Sequence, residues 1–246
     1  MTNALHARGP VPEHDHGEVG GPVLVGCSHG TDDADGRAAV RSILTGVAAF
    51  RPDLDVREAF VDVQQPEVAD VVTHALDSDS SGAVVVPLLL SVGFHVKVDI
   101  ATAVDQPGAT AAAPLGPDER LVDILVDRLT DAGLAAEDSV VLAAAGSTDP
   151  AAALAVEAVA AGLADRLEQP VTIGYGAGAE PRVPAAVANA RADTPPGGRV
   201  VVASYLLAPG YFYDRVQEAG ADVVTSPLAP DERLAHIVLD RYDAAT

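Results

Sequence analysis

Short apolar runs alternate with amphipathic stretches along most of the chain. Residues 22–26 (PVLVG) have the character of a buried strand, and a polar, turn-rich loop over 27–36 follows. Over 37–50 the apolar positions Val40, Ile43, Leu44 and Val47 recur at spacings of three and four, which predicts a helix. Residues 54–60 read as a second strand. Pro66 opens another helix, with Val68, Val71, Val72 and Leu76 on its apolar face. Residues 83–90 are a continuous apolar run, the mark of a parallel strand covered on both sides. A helical segment over 96–104, a strand over 110–114 and a helix over 118–132 complete the series. Strands alternating with helices predict an α/β layered fold with right-handed crossovers.

The pattern then restarts. Residues 133–138 read as a hinge, and 140–144 are again an apolar strand. PLGPDERLVDILVDRL, starting at Pro114, matches PLAPDERLAHIVLDRY, starting at Pro227, at ten of sixteen positions. Upstream, VVVPLLLSVGFH from Val84 aligns with VVASYLLAPGYF from Val201 at a spacing of 117, and that spacing also places Ser28–Asp32 on Ala145–Asp149. The chain therefore reads as a tail over 1–21 and two homologous α/β halves, 22–132 and 138–246.

Composition narrows the function. Of 246 residues 48% are hydrophobic, only 4% are aromatic and none is Trp, so the core must be Ala, Val, Leu and Ile. Fifteen basic residues against 36 acidic ones give −21. That argues against nucleic acid and against docking on anionic lipid, both of which need clustered cations. Lys97 is the single lysine. Cys27, the single cysteine, excludes an intrachain disulfide and any multi-cysteine zinc or iron–sulfur site. No run is long enough to span a membrane. The first 21 residues hold three His but no apolar h-region, so they are expected to be a flexible tail rather than a secretory signal. The expectation is a soluble, cytoplasmic protein.

The polar positions of the two copies differ. The first strand ends in Ser28-His29-Gly30-Thr31, and the third runs into Ser91-Val92-Gly93-Phe94-His95. Ligands of parallel sheets bind beyond the carboxyl ends of the strands, so His29 and His95 should share one edge. Two imidazoles there can converge on one metal ion or one proton-transfer site. At the 117 spacing the second half carries Gly146 and Phe212 instead, so the chemistry belongs to the first half. The plainer alternatives are a loop histidine that caps a helix (His29) and a half-exposed turn residue (His95). Placement directly after a buried strand, and the pairing, favour function. Asp32, Asp33 and Asp35 read as first-turn acids and caps. Asp99 and Lys97 read as a helix acid and a surface cation, His74 and His236 as structural or solvated, and Cys27 as a small core residue. The GYGAG stretch from Gly174 lacks full dinucleotide-loop spacing and reads as a strand-to-helix loop facing the cleft.

The strand-end SHGT, the later VVPLLLSVGFHVKVDI and the duplicated halves resemble the class II, ATP-independent tetrapyrrole chelatases, above all the sirohydrochlorin chelatases of siroheme and cobalamin synthesis. The resemblance covers nearly all of the chain after the tail. It implies two chelatase-like halves, each a parallel sheet flanked by helices, with a cleft between them. It implies His29 and His95 as ligands of the incoming divalent metal and acceptors of pyrrole protons. The family often places an acidic residue just after the second strand. Here Asp62 in Phe60-Val61-Asp62-Val63-Gln64-Gln65-Pro66 takes that position, one methylene shorter than the usual Glu. No tightly bound cofactor is implied, since the metal (Co²⁺ or Fe²⁺, with Ni²⁺ a further candidate) is substrate. A chain carrying both halves is expected to be a monomer.

The chemistry of imidazole agrees. Metal insertion needs a ligand that hands over the ion, a base for two N–H protons and a cleft for the macrocycle. Neutral imidazole suits first-row divalent ions and titrates near neutrality. Leu89, Leu90, Val92, Leu206 and Leu207 are expected as apolar walls, and Lys97, Arg37 and loop amides as partners for substrate carboxylates. No P-loop sequence is present, so no ATP site is evident. Two other classes remain open on the residues alone: a metal or tetrapyrrole carrier without turnover, and a histidine-phosphatase-like enzyme. Ser28 stands where the latter has an Arg before its His.

Overall fold

Strand β1 (Val23–Ser28) is buried along its whole length. The computed structural model describes residues 21–78, 80–93 and 96–246, so the tail expected over 1–21 lies, except for Gly21, outside the described residues. β1 pairs in parallel with β2 (Val56–Phe60) and β3 (Ala83–Pro87), and β3 pairs with β4 (Ala109–Ala111), giving the order β2-β1-β3-β4. The second sheet repeats this with β5 (Ser139–Ala144), β6 (Val171–Tyr175), β7 (Val200–Tyr205) and β8 (Val223–Val224), in the order β6-β5-β7-β8. The α/β architecture of two parallel sheets is thus as expected. The helices are α1 (Ala34–Phe50), α2 (Val68–Leu76), α3 (Ala101–Ala103), α4 (Glu119–Asp131), α5 (Pro150–Leu167), α6 (Val183–Asp193), α7 (Tyr211–Gln217) and α8 (Glu232–Asp243).

Local chemistry sets the boundaries. α1 starts earlier than its apolar period because Asp33 caps it, accepting the Gly36 N–H at 2.6 Å. The segment expected as a helix over 96–104 is instead a π-helical stretch, Val96–Ile100, running into the single turn of α3. The apolar run from Ala83 leaves the sheet at Pro87, and Leu89 and Leu90 continue it into the wall of a cleft.

Alternation along the strands divides the core. Val23, Val25 and Cys27 pack outward under α2 with Ile100 and Ala103, whereas Leu24, Val84 and Val86 face an inner layer shared by both sheets. That inner layer is built by exchange. α4, from the first half, packs on α5 and β7 of the second, and α8 returns to pack on α1 and β3 of the first. Here the near-identical PDERL strings find their reason. Asp118 and Asp231 cap α4 and α8 and each grips its own Arg, Arg120 or Arg233. Arg120 also reaches Asp240 (2.6 Å), and Arg233 reaches Asp127 (2.7 Å), across the interface between halves. Arg128 donates to the carbonyl oxygens of Leu228 and Pro230, and Arg241 to those of Pro114 and Leu115. Burial pushes the Asp118 and Asp231 carboxyls up, but the bonds from Arg120 and Arg233 outweigh it and hold both below the usual carboxylate range.

Candidate active site

The carboxyl ends of β1 and β3, and of their counterparts β5 and β7, open onto one cleft of about 860 Å³ between the two halves. This is the edge at which parallel sheets take ligands, and the volume suits a large one. β1 carries Ser28 to that edge, and the exposed His29 follows it in the cleft wall. The His29 Nδ1 lies 3.4 Å from the Gly30 carbonyl oxygen. A carbonyl only accepts, so any proton shared across this long contact belongs to the imidazole.

Gly30 makes the turn after His29 at φ +91°, where a Cβ would run into the Asp62 carbonyl oxygen. The β1–β2 ladder continues past the strands, with Asp62 N–H donating to the His29 carbonyl at 3.1 Å. The backbones of His29 and Asp62 are therefore neighbours. The exposed Asp62 carboxylate is turned onto the Val63 N–H (2.8 Å), and Asp62 is not among the cleft-lining residues. Val63 and Gln64 line the cleft instead. Gln64 Oε1 accepts the Thr31 N–H at 2.9 Å and pins the two loops together, while Val63 holds a left-handed φ of 56°, strained for a β-branched residue. His95 lies outside the described residues.

Other expectations can be placed. Leu89, Leu90, Leu206 and Leu207 line the cleft, and Val92 is not among its lining residues. Arg37 lines it with Nη1 on the Thr31 (3.3 Å) and Asp32 (2.9 Å) carbonyls. Lys97 forms an ion pair with Asp149 of the second half, which caps α5. Cys27 is sealed on the far side of β1, and burial, aided by the Asp99 charge, pushes its thiol up to about 12, so no thiolate is on offer at neutral pH. His74 contacts the Asp70 carbonyl within α2, and His236 stacks on Phe50 at 4.3 Å. Of the GYGAG stretch, Gly174 and Tyr175 end β6 and Tyr175 lines the cleft, whereas the loop residues Gly176, Ala177 and Gly178 are not among its lining residues.

Two features were missed. First, β1 begins at Val23 and β5 at Ser139, and the caps Asp33 and Asp149 match, so this region repeats at 116 rather than 117. Ala145, not Gly146, is the counterpart of His29, and Gly146 is the counterpart of Gly30 with the same left-handed turn (φ +84°). Second, the aromatics are concentrated at the site: Phe60, Tyr175, Tyr205, Tyr211, Phe212 and Tyr213 all line the cleft. The signal was the clustering of scarce tyrosines just after apolar runs.

A family model described as CbiX matches residues 23–132 and 139–245. A sirohydrochlorin ferrochelatase from Priestia megaterium is 27% identical over 205 residues, 76% of each chain. A sirohydrochlorin cobaltochelatase from Sulfolobus acidocaldarius is 31% identical over 77 residues, 30% of this chain and 63% of that one. Among solved structures, SirB from Bacillus subtilis with Fe³⁺ superimposes with a TM-score of 0.77 at 20% identity, covering 90% of this chain and 94% of that one. A cobalt complex of the sirohydrochlorin chelatase SirB from Bacillus subtilis subspecies spizizenii gives 0.72 at 19%, covering 89% and 93%. These two structures share the fold. With both halves matched separately by one family model, this chain belongs to the CbiX family, as the SHGT and GFHVKVD segments led us to expect.

Proposed function

We propose that this protein inserts Fe²⁺ or Co²⁺ into sirohydrochlorin without consuming a nucleotide. The observation that carries the reading is His29, exposed at the carboxyl end of β1 in the wall of a cleft large enough for a macrocycle. Its family membership and the activities of its relatives support the same chemistry. In the reaction, two pyrrole N–H protons leave as the dication enters, so the macrocycle's charge is unchanged. His29 and His95 hand over the ion and accept protons, as two-imidazole ligation is loose enough to release it. Asp62, beside His29 on the backbone, assists by taking a proton onward once its carboxylate turns from the Val63 N–H. One chain supplies both walls of the cleft, so the protein works as a monomer. Both siroheme and cobalamin synthesis use such a product.

The test is metallation of sirohydrochlorin by the purified protein, followed by absorbance with each metal and no ATP. We expect turnover that His29→Ala abolishes while the thermal melt is kept. A rate no greater than the spontaneous one with both metals overturns the proposal. Stoichiometric metal or macrocycle retention without turnover would instead mark a carrier.

A further inference from the structure

The two walls of the cleft come from one repeat but differ in chemistry. The first half brings His29, Gln64, the Thr31–Asp33 turn and the Phe60 ring, whereas the second brings five aromatic rings, Tyr175, Tyr205, Tyr211, Phe212 and Tyr213. The register here is set by Gly93 and Gly210, whose carbonyls accept the N–H groups of Lys97 and Asp214. In that register Phe-His-Val-Lys-Val, from Phe94, has become Tyr-Phe-Tyr-Asp-Arg, from Tyr211. The copy that lacks the imidazole keeps a ring at the first position, Tyr211 for Phe94, adds Phe212 and Tyr213, and gains the Arg215 guanidinium in place of Val98.

Tyr211 is the most exposed large apolar side chain of the described residues, at 67%, yet it lines the cleft. An exposed ring in the wall of a large cleft offers a flat apolar face on which a planar ligand can stack. Phe212 meets it edge-on at 5.5 Å. Arg215, one turn along α7, holds its guanidinium over the ring, 5.3 Å from the centroid. Arg215 also pairs with Glu218 at 3.0 Å, but both side chains are well exposed, so the pair is readily exchanged. A guanidinium has five N–H donors, enough to serve a second carboxylate.

Charge makes Arg215 matter. Among the described residues lining the cleft the only Lys or Arg is Arg37, while Asp32, Asp33 and Asp214 are acidic and Glu58 is paired with Arg41; Arg215 stands beside the lining, behind the Tyr211 ring. Lys97 is engaged by Asp149. A polycarboxylate therefore meets an acidic mouth and needs a further cation to enter it.

We propose that Tyr211 and Arg215 are the substrate-recognition pair of the second half, the Tyr211 ring stacking on the planar macrocycle and the Arg215 guanidinium binding one of its peripheral carboxylates. This rests on the function proposed above. The halves then divide the labour: the first handles metal and protons, and the second selects the macrocycle. Stacking is indifferent to the substituents, whereas the guanidinium distinguishes a carboxylate-rich rim from a carboxylate-poor one.

The experiment measures fluorescence quenching of metal-free porphyrins by the full-length protein, with uroporphyrin as the carboxylate-rich probe and mesoporphyrin as the carboxylate-poor one, alongside steady-state kinetics with sirohydrochlorin. Tyr211→Ala should weaken both probes about tenfold, and Tyr211→Phe should restore most of the binding. Arg215→Gln should weaken uroporphyrin about tenfold and mesoporphyrin much less. Glu218→Gln, by releasing Arg215, should tighten uroporphyrin binding. In the first and third variants KM for sirohydrochlorin should rise with kcat within about twofold. Unchanged binding and KM in Tyr211→Ala, equal losses for both probes in Arg215→Gln, or a fall in kcat at constant KM overturns the pair while wild-type turnover stands. Failure of the wild type to metallate sirohydrochlorin overturns the underlying function instead.

Discussion

Tyr205, buried at the end of β7, donates its hydroxyl to the Leu90 carbonyl oxygen at 3.1 Å, tying the second half to the loop that leaves β3. Burial, with a smaller push from the Asp118 charge, raises its pKa, so the phenol stays a donor across the neutral range. Gly116 lies against the same two oxygens and leaves no room for a side chain. Tyr205→Phe keeps the ring's packing and orphans one carbonyl. It should cost about 1–2 kcal/mol in urea unfolding and lower kcat, since the released loop leads to His95. An unchanged midpoint would show that water replaces the hydroxyl at no cost.

That bond was invisible in the sequence, and so was the exchange of α4 and α8. Hydrophobic period gave the strands and most helices, because burial on both faces of a parallel sheet leaves a long apolar trace, as in Ala83–Pro87. It overran where an apolar run ended in a ligand cleft rather than a core, at Leu89 and Leu90, because both environments select the same residues. The repeat alignment slipped by one residue at His29 because an identical Thr-Asp pair drew it to 117, whereas the capping geometry of Asp33 and Asp149 sets 116. The placement of His29 in the cleft wall was legible, since a polar residue directly after a buried strand of a parallel sheet stands at the ligand-facing edge. Tyr211 had no periodic signature, being in a short helix, and its one trace was the cluster Tyr211-Phe212-Tyr213 in a chain with few aromatics.

Cys27 should be inert in the native protein. Its thiol sits with no exposure under α2, and its pKa of about 12 leaves almost no thiolate at pH 8. Thiol reagents should label it only on unfolding, and Cys27→Ala should keep metallation. The unfolded thiol ionises from about pH 9 while the folded one resists, so the unfolded state sheds the proton first and stability falls as pH rises toward 12. Cys27→Ala should flatten that alkaline decline, and equal slopes in both proteins would refute the assignment.

Asp138 governs the acid side. Its carboxylate accepts from the Ala135 N–H (3.0 Å), the Arg199 N–H (2.8 Å) and the Arg199 guanidinium (2.6 Å), joining the hinge before β5 to the start of β7. The Arg199 bond, working against burial, draws it down from 3.8 to about 2. Its contribution is complete above the unfolded value and is lost as pH falls from about 4 to about 2, where the unfolded state binds more protons. Asp138→Asn should lower stability at pH 7 by about 1–3 kcal/mol and shrink the acid dependence over that window. Parallel curves for variant and wild type would assign the acid transition to other carboxylates.

Gly30 and Gly146 offer a test of which half does chemistry. Both turn at left-handed φ, +91° and +84°, and a Cβ at either would strike a carbonyl, that of Asp62 or of Ala177. Alanine at each should therefore cost a similar amount, about 1–3 kcal/mol from strain and displaced backbone. The functional consequences should diverge. Displacing the Asp62 backbone breaks its bond to the His29 carbonyl and moves the imidazole, so Gly30→Ala should lower kcat at least tenfold at a temperature where the protein stays folded. Gly146→Ala displaces Ala177 and crowds Tyr175, neither of which has a part in the proposed proton or metal chemistry, so kcat should fall far less. Equal losses of kcat from equal losses of stability would mean that both loops serve the reaction, and that the second half is more than a macrocycle-binding wall.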